Sequence, residues 1–218
     1  MDDKTQTLFQ NNSKKYRIAN WNLERPLKFT KKLQLALNRL KEINPDICIL
    51  TETSSLGDLG KEYNVSNTEM YEHLPNDQWA AIWSKWPIKK EIPTFDSKRT
   101  TCVLIQAPFG DIIIYATVIP YRDAGVRVNG KYADTTKTYK SWEMHKENIV
   151  FQSEDWLKIT NDYPGIPLCV AGDFNQTRDK KKGGYGNDDI RMLLSNKLEI
   201  CGLSCITEEN FEDSGKLK

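Results

Sequence analysis

Three places in this chain put an oxygen-bearing side chain directly after an apolar stretch. Asn22 and Glu24 follow Tyr16-Arg-Ile-Ala-Asn-Trp21, Glu52 follows Asp46-Ile-Cys-Ile-Leu-Thr51, and Asp173 with Asn175 follows Leu168-Cys-Val-Ala171. Strand ends are where a rigid scaffold presents polar groups into a cleft. Carboxylates and amides without His or Cys nearby are hard donors, suited to Mg2+ or Mn2+ rather than to zinc. A single carboxylate after a strand is more often a helix cap or a solvated loop residue. Three such points on one chain of 218 residues instead suggest a shared site built around a hard cation.

The elements that must position these residues follow from the apolar pattern. Residues 16–22 alternate apolar and polar side chains as a strand does. Residues 28–43 place Leu33, Leu37 and Leu40 at helical spacing, with Phe29 and Leu35 nearby, and Asn44-Pro45 stops that helix because the residue before proline is pushed out of the α region. Residues 46–52 read as a buried strand. Ala80 to Ser84, Thr101 to Gln106 and Ile112 to Ile119, separated by Pro87, Pro93 and Pro108-Phe-Gly-Asp111, read as successive, mostly antiparallel strands. Residues 123–138 are a polar loop. Residues 139–159 form a helix with Trp142, Ile149, Trp156 and Ile159 near one face, and Pro164-Gly-Ile-Pro167 ends it. A buried strand over 168–171, a basic glycine-rich loop over 178–187 and a short helix over 188–198 complete the order. With no internal repeat and no linker, the expectation is a polar arm over 1–15 and one α/β domain over 16–218 with mixed sheets.

Lys+Arg number 31 and Asp+Glu 30, for a net charge of +1, and 39% of residues are hydrophobic. That balance excludes a disordered, collagenous or supercharged chain. It also removes any electrostatic case for a whole-molecule nucleic-acid binder, leaving room only for a local basic cleft. The longest apolar run, Asp111 to Ile119, is too short to cross a bilayer, and the first twenty residues hold no apolar stretch of signal-peptide length. An odd number of cysteines, five, lying mostly inside apolar runs, points to buried reduced thiols and a cytoplasmic protein. Cys201 and Cys205 have no second Cys/His pair to complete a zinc site.

Asn20-Trp-Asn-Leu-Glu24, Leu50-Thr-Glu-Thr53, Ala80-Ala-Ile-Trp-Ser-Lys-Trp-Pro-Ile88 and Ala171-Gly-Asp-Phe-Asn175, in this order, resemble the endonuclease/exonuclease/phosphatase superfamily. The resemblance spans residues 16–205, and Gly-Asp-Phe-Asn is its most specific part. It implies a four-layered α/β sandwich, two mostly antiparallel mixed sheets flanked by helices, and a divalent-metal phosphodiesterase using Mg2+ or Mn2+. It further implies Glu52 as the metal-binding glutamate, Glu24 as a second acidic ligand, and Asn22 as the amide that orients this cluster. Asp173 would position or deprotonate the attacking water, and Asn175 would stabilise charge on the scissile phosphate. In-line displacement at phosphorus needs an aligned nucleophile and positive charge at the non-bridging oxygens, which these residue types suit.

Two departures from the pattern qualify that expectation. The superfamily ends in a Ser-Asp-His motif, whereas His73 and His145 lie in other contexts and the sequence stops at Lys218, so the final strands and that histidine are expected to be missing. A shortened chain of this kind is expected to have little hydrolytic activity, or to act as a binding module. His145 falls in the helix pattern, where a surface or half-buried imidazole is the ordinary reading. Thr117 and Val118 stand where some members carry a functional Tyr or His, which leaves Tyr121 and Arg122, just past the strand, as candidate phosphate contacts. Arg178 and Lys180-Lys-Lys182 follow the Asp173/Asn175 site, and Lys14, Lys15 and Arg17 are also basic; such a loop can track DNA or RNA, or be a solvated charge run. Arg127, Lys131 and Tyr132 lie where the superfamily varies its recognition loops. Trp83 is expected in the core, with Trp79 and Trp86 open between packing and stacking on a ligand. Nucleic acid ranks first as the phosphodiester, and a small phosphoester second.

Overall fold

The structure is a computed structural model, and it describes residues 15–26, 30–55, 57–70, 76–126, 138–178 and 184–206. Residues 1–14 of the arm expected over 1–15, and Lys28, Phe29, His73, Arg127, Lys131, Tyr132 and Lys180-Lys-Lys182, lie outside the described residues.

Eight strands form two four-stranded sheets among the described residues. The first holds β1 (Ile18–Asn22), β2 (Ile47–Ser54), β3 (Asn64–Asn67) and β4 (Asp77–Ser84) in the order β1-β2-β4-β3. The second holds β5 (Ile88–Glu91), β6 (Thr100–Ala107), β7 (Gly110–Val118) and β8 (Leu168–Asp173) in the order β5-β6-β7-β8. Pairing is antiparallel except for β1 with β2 and β7 with β8. Each parallel pair is joined through a helix, α1 (Lys31–Ile43) or α2 (Glu143–Asp162), as a parallel crossover requires. A third helix, α3 (Asp188–Ile200), follows β8.

Side-chain alternation sorts the strands' residues into layers. Ile47, Ile49, Ala80 and Ile82 of the first sheet meet Val103, Ile105, Ile112, Ile114 and Ala116 of the second in the space between the sheets. On the outside of the first sheet, Leu33, Leu37 and Leu40 of α1 cover Cys48 and Leu50. Outside the second, Ile149, Trp156 and Ile159 of α2 and Leu194 of α3 cover Ile113 and Tyr115. Each fully buried aliphatic side chain here stabilises the fold by ~1.5–3 kcal/mol. The result is the expected four-layered sandwich, helix, sheet, sheet, helices.

Local chemistry ends the elements where the sequence predicts. Thr30 caps α1 by accepting from the Leu33 N–H, and Asn44 closes it in the left-handed region at φ 50, a conformation asparagine tolerates, just before Pro45. Asn187 caps α3 in the same way, accepting from the Ile190 N–H at 3.0 Å.

Three details differ from the sequence reading. Strands β3 (Asn-Val-Ser-Asn) and β5 (Ile-Lys-Lys-Glu) carry no apolar alternation, because each is a four-residue edge strand with most of its side chains in solvent. Trp142 is not on the face of α2; it precedes the helix at φ 68, donating its backbone N–H to Arg122 O and packing on His145 and Tyr185. His145 is neither at the surface nor half-buried but fully enclosed, because the first turn of α2 sits directly on the loop that follows β7.

The topology puts the chemistry at one rim. Because β1 runs parallel to β2 and β7 to β8, the carboxyl ends of each pair fall together. β1 and β8 are also the facing edges of their sheets. Asn20 and Asn22, two apart and so on one face of β1, reach across to β8: Asn20 Nδ2 donates to Gly172 O at 3.1 Å and Asn22 Nδ2 to Asp173 Oδ2 at 2.8 Å.

Candidate active site

Asp173 is the centre of the rim. Its Oδ2 accepts from Asn22 Nδ2 at 2.8 Å and its Oδ1 from the Asn175 backbone N–H at 2.9 Å, so both oxygens are held in direction. Asn175 has φ 47, which turns the chain sharply after Phe174, and its Nδ2 donates to Ile119 O at 2.9 Å. The Ile119 N–H in turn donates to Asp173 O at 2.9 Å, continuing the β7–β8 ladder to the rim. The structure thus joins Asn22, Asp173 and Asn175 in one hydrogen-bonded cluster.

Glu52 follows the strand partner of Asn22. Asn22 is in register with Thr51, and beyond the end of β1 the pairing continues, with Leu23 N–H donating to Thr51 O and Arg25 N–H to Glu52 O, both at 2.9 Å. Glu52 sits at φ 45, a departure from extended backbone inside β2, between Thr51 and Thr53, which still pair with Ala80 and Gln78. Its carboxylate faces Arg25, whose Nε is 3.7 Å from Glu52 Oε2 and whose Nη1 is 3.6 Å from Asp77 Oδ2. The Arg25 guanidinium lies 4.0 Å over the Trp79 ring, so packing against arginine accounts for Trp79. Ion pairs this long and this accessible contribute below ~1 kcal/mol, so Arg25 can yield Glu52 to a stronger cation.

The other expected residues are held elsewhere. Glu24 donates its backbone N–H to Asn22 Oδ1 at 2.8 Å, which fixes that amide, but its carboxylate is exposed and pairs with Lys32 at 2.6 Å. The hydrogen bond from Lys32 holds its pKa below the usual carboxylate range. Arg122 directs Nε and Nη2 to Asp123 Oδ2 at 2.9 and 2.7 Å, and its backbone N–H to Tyr185 Oη. Arg178 Nη1 donates to Ser195 Oγ on α3 at 3.0 Å. Tyr121 is half exposed at the rim. Trp86 belongs to a cluster with Tyr16 and Phe109, while Trp83 is partly buried over Tyr63.

The donors at the rim suit a hard cation. Among the described residues no three His, Cys, Asp or Glu side chains gather as a metal cage. What the rim offers is the Asp173 carboxylate bonded to the Asn22 amide, with Glu52 one residue past the strand partner of Asn22 and its carboxylate beside Arg25. Mg2+ is commonly held by one or two carboxylates, with water and substrate phosphate completing its shell, so this all-oxygen set fits it and does not fit zinc.

His145, Arg25 and Gln176 are the residues that sequence reasoning missed. Gln176 directly follows Asn175, and Arg25 follows Glu24, so adjacency to the motifs was the available signal.

No protein-family model and no curated protein sequence matches the chain. Solved structures do. The endonuclease domain of TRAS1, a telomere-specific non-LTR retrotransposon, superposes with a TM-score of 0.60 at 17% identity, over 89% of this chain and 76% of that one. An AP endonuclease from Archaeoglobus fulgidus gives 0.57 at 16%, over 85% and 71%. The 3' phosphatase NExo from Neisseria, bound to product DNA hairpin, gives 0.57 at 13%, over 85% and 71%. The chain shares the fold of these solved structures.

Proposed function

We propose that this chain is a divalent-metal-dependent phosphodiesterase whose substrate is nucleic acid. The observation that carries the reading is the Asn22–Asp173–Asn175 cluster, built across two sheets, with Glu52 following the strand partner of Asn22. That three of the solved structures sharing this fold are named for endonuclease or DNA-bound phosphatase chemistry supports nucleic acid over a small phosphoester.

Each residue has a task its geometry suits. Asp173, with one hydrogen bond on each oxygen, keeps lone pairs aimed at fixed positions and can orient a water and take its proton. Asn22 holds that carboxylate from the side of the first sheet. Asn175 spends one amide hydrogen on Ile119 O, and its second is the donor for a phosphoryl oxygen, with no charge to repel the phosphate. Glu52, with the Asn22 amide oxygen, would hold Mg2+ or Mn2+; when bound, that cation supplies positive charge to the non-bridging oxygens. Glu24 is the weakest member of the proposed set, and Tyr121 the best placed of the proposed substrate contacts.

A second reading, binding without turnover, is favoured by His145: it is the one histidine among the described residues, and both its nitrogens are engaged below the rim. Turnover of bis-p-nitrophenyl phosphate with Mg2+ separates the two. Metal-dependent hydrolysis abolished by chelation is expected of the enzyme; binding of a DNA hairpin with no release of nitrophenol supports the module. In either case affinity for the hairpin should fall steeply between 50 and 200 mM salt, by roughly tenfold or more if three or more phosphates are contacted. Salt-independent binding would point to a small phosphoester.

A further inference from the structure

Asn175 can meet a phosphate only if its carboxamide keeps one orientation, and that orientation depends on two loops staying together. One follows β7 and supplies Ile119 O; the other follows β8 and carries Asn175. The residues immediately beyond each, Pro120 and Gln176, are both bonded to His145. Its Nδ1 is 2.6 Å from Pro120 O and its Nε2 is 3.0 Å from Gln176 Oε1.

The protonation pattern follows from the partners. Pro120 O can only accept, so Nδ1 carries the hydrogen. Burial pushes the His145 pKa down, which favours the neutral ring, and Nε2 then has a lone pair to offer. Gln176 Oε1 stands at that nitrogen while buried Gln176 Nε2 has no partner among the described residues, and exchanging the two amide ends, which are nearly identical in shape, lets the NH2 donate to Nε2 and resolves both mismatches. A neutral imidazole supplies a donor and an acceptor on one rigid plate. Helix packing alone does not call for that, since leucine or phenylalanine would fill the same buried position on α2.

The surroundings fix the plate. Trp142 meets the imidazole edge-on at 5.1 Å between ring centres and packs on Tyr185 at 5.2 Å. Tyr185 Oη accepts from the Arg122 N–H at 3.0 Å, and Tyr185 O accepts from the Thr177 N–H at 2.8 Å. The same two loops are therefore tied again on the far side of His145.

The geometry points to His145 as a positioning residue: by joining Pro120 to Gln176 it holds the Asn175 carboxamide in the orientation that meets a phosphate oxygen. The catalytic consequence rests on the phosphodiesterase reading; the positioning does not. His145 does not touch the rim itself and acts only through Asn175.

Two variants test this. His145→Phe keeps the buried ring and its contact with Trp142 but removes both hydrogen bonds. Gln176→Met breaks the same link from the loop side, without touching the helix core, should His145→Phe fail to fold. Nuclear magnetic resonance of the Asn175 side-chain amide reports its orientation directly. The expected result is a shifted, faster-exchanging Asn175 amide in both variants, with kcat lowered ~10–100-fold and KM within about twofold. In an Asn175→Ala background the same substitutions should lower kcat further by less than about threefold, since they act through a group already removed. An Asn175 amide unchanged in both variants would overturn the proposal, as would a full, additive loss of kcat in the Asn175→Ala background. If the unaltered protein hydrolyses nothing, the phosphodiesterase reading fails, and the amide signals still decide the role of His145.

Discussion

Asp173→Asn is expected to lower kcat about 1,000-fold while the chain remains folded. Loss of a positioned general base removes ~10²–10⁴-fold by itself. The substitution also disturbs the cluster, because the two groups facing residue 173 are both donors, the Asn175 N–H and Asn22 Nδ2. An asparagine there offers one acceptor and one NH2, so one donor meets another. Turning Asn22 to accommodate it would take Asn22 Oδ1 away from the Glu24 N–H. A mismatched, partly buried pair of this kind costs ~1–3 kcal/mol, which should be visible as a lower urea midpoint. The check is kcat on bis-p-nitrophenyl phosphate beside an unfolding curve of the same sample. A kcat within threefold of the unaltered protein would remove Asp173 from the chemistry.

Gly172→Ala carries the largest expected effect on stability. Gly172 has φ 144, where side chains are rarely tolerated, and a Cβ built there would stand 1.9 Å from Thr117 O. That oxygen belongs to the backbone of the neighbouring strand, which is paired on both sides, so it cannot give way as a flexible side chain would. Backbone strain and overpacking each contribute ~1–3 kcal/mol, and here both apply. A loss of about 2–6 kcal/mol is expected, a large share of the roughly 5–15 kcal/mol that stabilises an ordinary domain. Urea unfolding followed by tryptophan fluorescence measures it. A change below about 1 kcal/mol would show that β8 can move away from β7. The glycine before Asp173 is thus there for close strand approach, and that approach aims the aspartate at the rim.

The sandwich was legible because its core strands are strongly apolar. Ile47 to Leu50, Val103 to Ile105 and Ile112 to Ala116 are almost fully enclosed, and such runs bounded by Pro, Gly and Asn leave little choice of element. The edge strands were not legible, since β3 and β5 owe their conformation to the ladder of a neighbour and not to their own side chains. Trp142 illustrates a different failure: helical spacing placed it on a face, while its backbone hydrogen bond to Arg122 O holds it at φ 68, outside the helix.

Within the candidate site, the structure brings together the expected residues on regular strands and holds most of those on loops apart. Asn22 and Asp173 end β1 and β8, Glu52 follows the Thr51 that pairs with Asn22, and Asn175 is drawn in by Ile119 O. Glu24, which the resemblance implied as a second acidic ligand, and Arg122 and Arg178, basic residues near the motifs, each meet another group: Lys32, Asp123 and Ser195. The importance of His145 could not be read from spacing, because it comes from Pro120 and Gln176, 25 and 31 residues away along the chain.

Titrating 15N-labelled protein with Mn2+ and following its side-chain amides puts the convergence of the four rim residues to a direct trial, whether or not any substrate is turned over. Broadening of Asn22 and Asn175 together at low Mn2+, abolished by Glu52→Gln, is the expected result. Broadening centred on other residues, or unaffected by Glu52→Gln, would show that these side chains share no cation.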